Sequence, residues 1–211
     1  MPDAIGNKTA HDYHLDIAPV QEGFYVKGAA HCDWGMKNRL SRLFDPKSGN
    51  TVMLAFDHGY IMGATAGLER MDVTIAPLCR YADVLMATRG AIRSCIPPTV
   101  HNAICLRATH DASVLIDDMS TGNGVGADME AAIRMNASAV AIQCFIGGAG
   151  EARSLETLCR AVDAGERYGI PVLGVTAVGK EMARTTQYFL LAARMLAELG
   201  AGDVHSGFRL I

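Results

Sequence analysis

Apolar, strand-like segments of this chain begin near Thr51, Asp83, Ala103, Ser138, Ile170 and Asp203, and the intervals 51 to 83, 138 to 170 and 170 to 203 are 32, 32 and 33 residues. A short strand, a return helix and two loops fill such an interval, so the beat is that of repeated βα units with parallel strands. The interval from 103 to 138 is 35 residues and holds SVLIDDM, Ser113 to Met119, which reads as a loop or a short extra strand. Between strands the period changes to that of a helix with one apolar stripe: Leu155, Leu158, Cys159 and Val162 recur at i, i+3, i+4 and i+7, as do Phe189, Ala192, Ala193 and Leu196. Ser154 and Thr185 are the predicted N-caps of these helices, and Gly169 and Gly200 stand where a left-handed residue ends a helix.

The first strand carries the most chemistry. In TVMLAFDHGY, Thr51 to Tyr60, the run Val52, Met53, Leu54, Ala55 and Phe56 is apolar without alternation, the pattern of a strand covered on both faces. It ends abruptly in Asp57, His58 and Gly59. Closed α/β barrels and open α/β sheets both gather ligand-binding and catalytic groups at the C-terminal tips of their strands. Asp57 and His58 are therefore the candidate catalytic residues. No Ser or Cys nucleophile stands at an elbow spacing beside them, so a hydrolase triad is not supported. The plainer reading of the pair is a strand-end Asp capping the next segment and a surface His.

At 211 residues the chain can bury one sizeable core. No apolar run approaches the roughly 18 residues that span a bilayer, and Arg194 interrupts Tyr188 to Ala197, the best candidate. The start, MPDAIGNKTAHDYH, has neither the basic nor the apolar region of an export signal, which predicts a cytoplasmic protein. Net charge is −3 with scattered Lys and Arg, so neither nucleic acid nor a membrane surface is expected as partner, and small molecules are. Cysteines 32, 79, 95, 105, 144 and 159 form no CxxC pair and no zinc spacing; they read as buried, reduced thiols. His58, His101 and His110 sit in no HxH or HExxH pattern, and no metal site is predicted. Gly147-Gly148-Ala149-Gly150 could present backbone N–H groups to an anion, but without a full GxGxxG it reads as a βα loop, and Asp117 with Asp118 as a polar loop.

Residues 1–50 differ from the rest. Within MKNRLSRLF, Met36, Leu40 and Leu43 make one side of a short helix before the turn DPKSGN. This N-terminal extension is expected to pack outside the sheet or against a neighbouring subunit, with residues 1–25 solvated.

In order along the chain, DWGMKNRLSRLF, VMLAFDHGY, ADVLMATRGAIRSCIPP, LRATH, SAVAIQCFIGG and PVLGVTAVGKEM resemble the class I fructose-bisphosphate aldolase family of the archaeal and bacterial type. Within it they are similar to the thiolase branch that processes phosphorylated autoinducer-2. The resemblance runs from about residue 24 to about residue 203. It implies a TIM (β/α)8 barrel, a Schiff-base lysine on the sixth strand, an aspartate on the first, phosphate held by the last two loops, and homo-oligomers. No cofactor is implied, with coenzyme A as co-substrate for the thiolase reaction. A lysine amine condenses with a ketone, and the protonated imine serves as electron sink for C–C cleavage. Asp57 matches the first-strand aspartate with His58 beside it. Arg89 and Arg107, at strand ends, are the candidates for binding a phosphorylated or enolic substrate.

Two departures qualify that expectation. The chain has five lysines, at 8, 27, 37, 47 and 180, and none lies where the sixth strand would place the Schiff-base residue. A barrel needs about 250 residues and eight units, whereas 51–211 supply about five to six, so an incomplete barrel without the last two phosphate loops is predicted. In QCFIGG, Phe145 stands where these aldolases often carry a proton-donating tyrosine, which favours acyl transfer over aldol cleavage. The expected protein is thus an aldolase or thiolase relative acting on a phosphorylated ketone, inactive as its 211 residues stand. The alternatives are a non-catalytic remnant that pairs with full-length subunits, and an open doubly wound sheet.

Overall fold

Among the described residues five parallel strands curl into a half-barrel, in the order β1-β2-β3-β6-β7. The computed structural model describes residues 16, 29–178 and 185–201. Helix α1 (Trp34–Leu43) precedes β1 (Met53–Ala55); short helices α2 (Gly59–Met62) and α3 (Met71–Thr74) and a 3-10 turn lead to β2 (Val84–Ala87). Helix α4 (Arg89–Cys95) and β3 (Ala103–Arg107) follow, then a small antiparallel pair, β4 (Thr109–His110) and β5 (Gly124–Val125), and α5 (Met129–Arg134). The rest is β6 (Ala139–Ile146), α6 (Glu151–Tyr168), β7 (Val172–Val178) and α7 (Thr186–Glu198).

Strand order separates the two sheet architectures. An open doubly wound sheet places its first strand in the interior. Among the described residues β1 and β7 are the edges and every neighbour is the next parallel strand in sequence, which is the order of a barrel wall. The sixth strand expected near Asp203, Lys180, Lys8, Lys27 and the arm over residues 1–25 lie outside the described residues.

Two apolar faces explain the unbroken hydrophobic runs. Every residue of β2 and β3 is buried. Leu85, Ala87, Ile104 and Leu106 pack outward with Leu158 of α6 and Ala192 and Leu196 of α7. The alternate set, Val84, Met86, Ala103 and Cys105, packs inward. The first strand departs from the expected double cover: β1 is an edge, Val52 is 58% exposed and Ala55 is exposed, while Phe56 just beyond it is buried. An edge strand has a neighbour on one side only, so part of its apolar surface stays open.

The N-terminal helix also departs from expectation. Asp33 caps α1 by accepting from the Met36 N–H at 2.8 Å. Leu40 and Leu43 then enter the concave cluster beside Met53, Cys105 and Ala139 rather than packing outside the barrel. The outward helices cannot fill the inside of the curl, and α1 supplies the cover at the N-terminal mouth. Burying each leucine contributes about 1.5–3 kcal/mol. Arg39 fastens the helix by donating to the Gly169 carbonyl at 3.0 Å.

Helix ends agree with the sequence in three places of four. Thr185 accepts from the Tyr188 N–H, and Gly169 and Gly200 take φ of 64° and 88° after α6 and α7. Ser154 is not a cap: α6 begins a turn earlier at Gly150, and the buried Ser154 hydroxyl accepts from the Phe145 N–H at 3.0 Å, tying α6 to β6. SVLIDDM forms a loop, with the Val114 N–H donating to Ile61 at 3.1 Å. Among the described residues no helix is long and apolar enough to cross a membrane.

Candidate functional site

The C-terminal ends of β1, β3, β6 and β7 converge on one side of the curl, and their polar side chains meet there. Asp57 is delivered by the end of β1 and Arg107 is the last residue of β3. Arg107 Nε donates to Asp57 Oδ2 at 2.5 Å, with both side chains nearly sealed from solvent at 7% and 4% exposure. Removing two charges from water is costly, and only close geometry plus further hydrogen bonds offsets it. Those bonds come from Gln143, the one polar side chain within β6: its Oε1 accepts from Arg107 Nη1 at 3.0 Å and its Nε2 donates to the Val175 carbonyl of β7 at 3.3 Å. The Gln143 N–H in turn donates to Thr109 Oγ1 at 3.1 Å.

A second arm joins the first. Tyr60, on α2, donates its hydroxyl proton to Asp111, and Arg107 lies over the tyrosine ring with Cζ 5.8 Å from its centroid. The other Asp111 oxygen accepts from Asn123 Nδ2 at 2.8 Å, and the same nitrogen donates to the Gln143 carbonyl at 3.1 Å. Asn123 is fully buried and its Oδ1 has no partner among the described residues. One continuous path of hydrogen bonds therefore runs Tyr60, Asp111, Asn123, Gln143, Arg107, Asp57.

Of the four residues singled out from sequence, two belong to this cluster and two do not. Asp57 and Arg107 form its ion pair. His58 stays 54% exposed with Nδ1 4.0 Å from Asp57 Oδ1, beyond hydrogen-bond range. Arg89, exposed at the start of α4, makes a long bond of 3.4 Å to the Gly126 carbonyl on the rim. Tyr60, Asp111, Asn123 and Gln143 were not singled out. Gln143 carried a readable signal, a lone amide inside an apolar strand, and Tyr60 closes the TVMLAFDHGY motif; Asn123, in a polar glycine-rich loop, carried none.

The glycine loop after β6 is engaged internally. The Gly147 N–H donates to Glu151 Oε2 at 2.6 Å and the Gly150 N–H to Ser120 Oγ at 2.9 Å. Ser120 is held by Asp118, whose carboxyl drops below the usual range because the Ser120 hydroxyl and N–H both donate to it. His101 precedes β3 at the N-terminal mouth whereas His58 and His110 lie at the C-terminal one, so the three cannot share an ion. Among the described residues no group of three or more His, Cys, Asp or Glu is arranged to hold a metal.

Burial shapes the titration of the site and of the core beneath it. Tyr60 rises well above its ordinary value, first through burial, with Arg107 pulling the other way and Asp111 and Asp57 adding to the rise. Burial likewise pushes the thiols of Cys105 and Cys144 up to about 12. A raised acid stabilises the fold while it is neutral, so these contributions are complete below the unfolded thiol value of about 8.5 and are lost as pH climbs from there toward 12. Urea-unfolding midpoints are expected to be level with respect to these thiols at neutral pH and to fall steadily above about pH 9. A midpoint unchanged to pH 11 would refute this assignment.

No family model matches the chain. It is similar to an uncharacterised aldolase of Pasteurella multocida, 47% identical over 201 residues that cover 95% of this chain and 69% of that protein. It is also similar to a 3-hydroxy-5-phosphonooxypentane-2,4-dione thiolase of Yersinia pseudotuberculosis, 47% identical over 216 residues covering 100% of this chain and 74% of the relative. Among solved structures, an archaeal fructose 1,6-bisphosphate aldolase superposes with a TM-score of 0.65 at 22% identity, over 79% of this chain and 68% of that one. At that identity the likeness speaks for the fold, an incomplete TIM-type barrel.

Proposed function

From the premise that this chain belongs to the class I fructose-bisphosphate aldolase family, in the group of the 3-hydroxy-5-phosphonooxypentane-2,4-dione thiolases, we propose that its C-terminal mouth binds a phosphorylated ketone. The observation that carries this reading is the buried Asp57–Arg107 pair and its hydrogen-bonded neighbours, gathered where barrel enzymes hold their substrates. Arg107 and Asp57 hold each other in place and so fix the floor of the mouth on which the substrate would rest. Arg89 and His58, exposed on the rim, meet the phosphate. Phe145 follows Gln143 by two residues on the same concave face and offers no proton, which favours acetyl transfer, with coenzyme A as acceptor, over aldol cleavage.

The covalent step needs an amine inside the mouth. Lys37 and Lys47 are the lysines among the described residues; Lys37 donates to the Ala30 carbonyl from α1, and both lie toward the N-terminal mouth, opposite the cluster. An amine that must attack a carbonyl tolerates little misplacement. Neither lysine among the described residues is placed to form an imine, and the chain is expected to bind its ligand without one. Incubation with dihydroxyacetone phosphate and borohydride, read by intact mass, should leave the protein unmodified while calorimetry shows reversible binding. A reduced adduct on Lys180 would overturn the first expectation, and absence of binding would overturn the reading itself.

A further inference from the structure

A phenol has one proton to give and two lone pairs to offer. In Tyr60 the proton goes to Asp111, the acceptor that the described residues offer it. Asp111 is held by Asn123 Nδ2 at 2.8 Å, and Asn123 is itself fully buried and fixed to the Gln143 carbonyl at 3.1 Å. The Arg107 guanidinium lies over the ring face and restrains its tilt. Tyr60 is half-buried at the mouth, so the hydroxyl oxygen meets an incoming ligand as an acceptor only. Phe145, on the same concave face, adds no competing polar group.

We propose that Tyr60 is a specificity-determining residue, which accepts a hydrogen bond from a ligand hydroxyl and so makes the site prefer phosphorylated hydroxyketones to their deoxy counterparts. Asp111 acts through it as a positioning residue: by taking the phenol proton it sets which way the hydrogen bond runs. Burial, with Asp111 and Asp57 adding to it against Arg107, raises the phenol above its ordinary value, so it keeps its proton at neutral pH and the polarity persists. This inference rests on the reading that the mouth takes a phosphorylated ketone.

The test compares dihydroxyacetone phosphate with hydroxyacetone phosphate, which lacks one hydroxyl. Calorimetric titration of the 211-residue chain should show the hydroxylated ligand binding about fivefold tighter, the scale of one neutral hydrogen bond. In Tyr60→Phe, which keeps the ring and its packing, the ratio should fall to about one. Asp111→Ala frees the phenol proton to donate to the ketone oxygen that both ligands carry, so the preference should narrow although Tyr60 remains; circular dichroism and thermal unfolding check that both variants fold. A ratio near one in the parent chain, or a preference that survives Tyr60→Phe, overturns the assignment. Failure of both ligands to bind the parent chain instead removes the underlying reading.

Discussion

Arg107→Leu is expected to lower the stability of the chain by about 3–5 kcal/mol, because it strips the counter-charge from a carboxylate that cannot reach water. Asp57 is 4% exposed and its Oδ2 faces Arg107 Nε at 2.5 Å. Leucine refills part of the volume but leaves that oxygen, and Gln143 Oε1, without a donor. For a domain of this size the loss corresponds to a fall of roughly 10 °C in the thermal midpoint. The double change Asp57→Leu with Arg107→Leu removes both charges and should recover much of it, since well-packed apolar residues often replace a buried pair at little cost. Denaturant midpoints of the two single variants and the double variant form a cycle that isolates the coupling. A single variant within about 1 kcal/mol of the parent would mean that Asp57 is not held as an isolated charge once Arg107 is gone, contrary to the geometry described.

The fold was legible from the periodic segments, and its exceptions lie where tertiary context overrides them. β2, β3, β6 and β7 begin within two residues of the expected starts, because strands covered on both faces must be apolar throughout. The edge position of β1 and the insertion of α1 into the concave face were not legible, since an amphipathic helix shows that it needs a partner and not which one. Ser154 illustrates a local rule losing to packing: its hydroxyl suits a cap, but the helix starts earlier and the side chain bonds β6 instead. The pairing of β4 with β5 involves two residues on each side, too short to leave a pattern. At the site, Asp57 and Arg107 were found as strand-end charges, whereas Asp111 and Asn123 act through loops whose positions depend on contacts far away in sequence.

One of those contacts supplies the second large expected effect. Gly150 lies at the start of α6 with φ −88°, a conformation open to any residue, so Gly150→Ala tests sterics alone. An added Cβ would stand 2.1 Å from the Ser120 carbonyl oxygen and 2.5 Å from its carbon, and backbone atoms cannot swing aside as a side-chain tip can. The turn Met119–Gly122 must move away, taking with it the Ser120 hydroxyl that accepts from the Gly150 N–H. Overpacking and a lost buried hydrogen bond together should cost about 3–4 kcal/mol. Asn123 follows that turn directly, so its hold on Asp111 and on the Gln143 carbonyl loosens as well. Affinity for a phosphorylated ketone should therefore fall in a residue that never touches the mouth. Gly90→Ala on α4 is the control: nothing lies within 4 Å of its added Cβ, and stability should stay level or rise by about 0.5–1 kcal/mol. If thermal unfolding finds the two variants equally stable, then α6 and the Ser120 turn are not in the contact described, and the path from Asn123 to Asp111 loses its anchor.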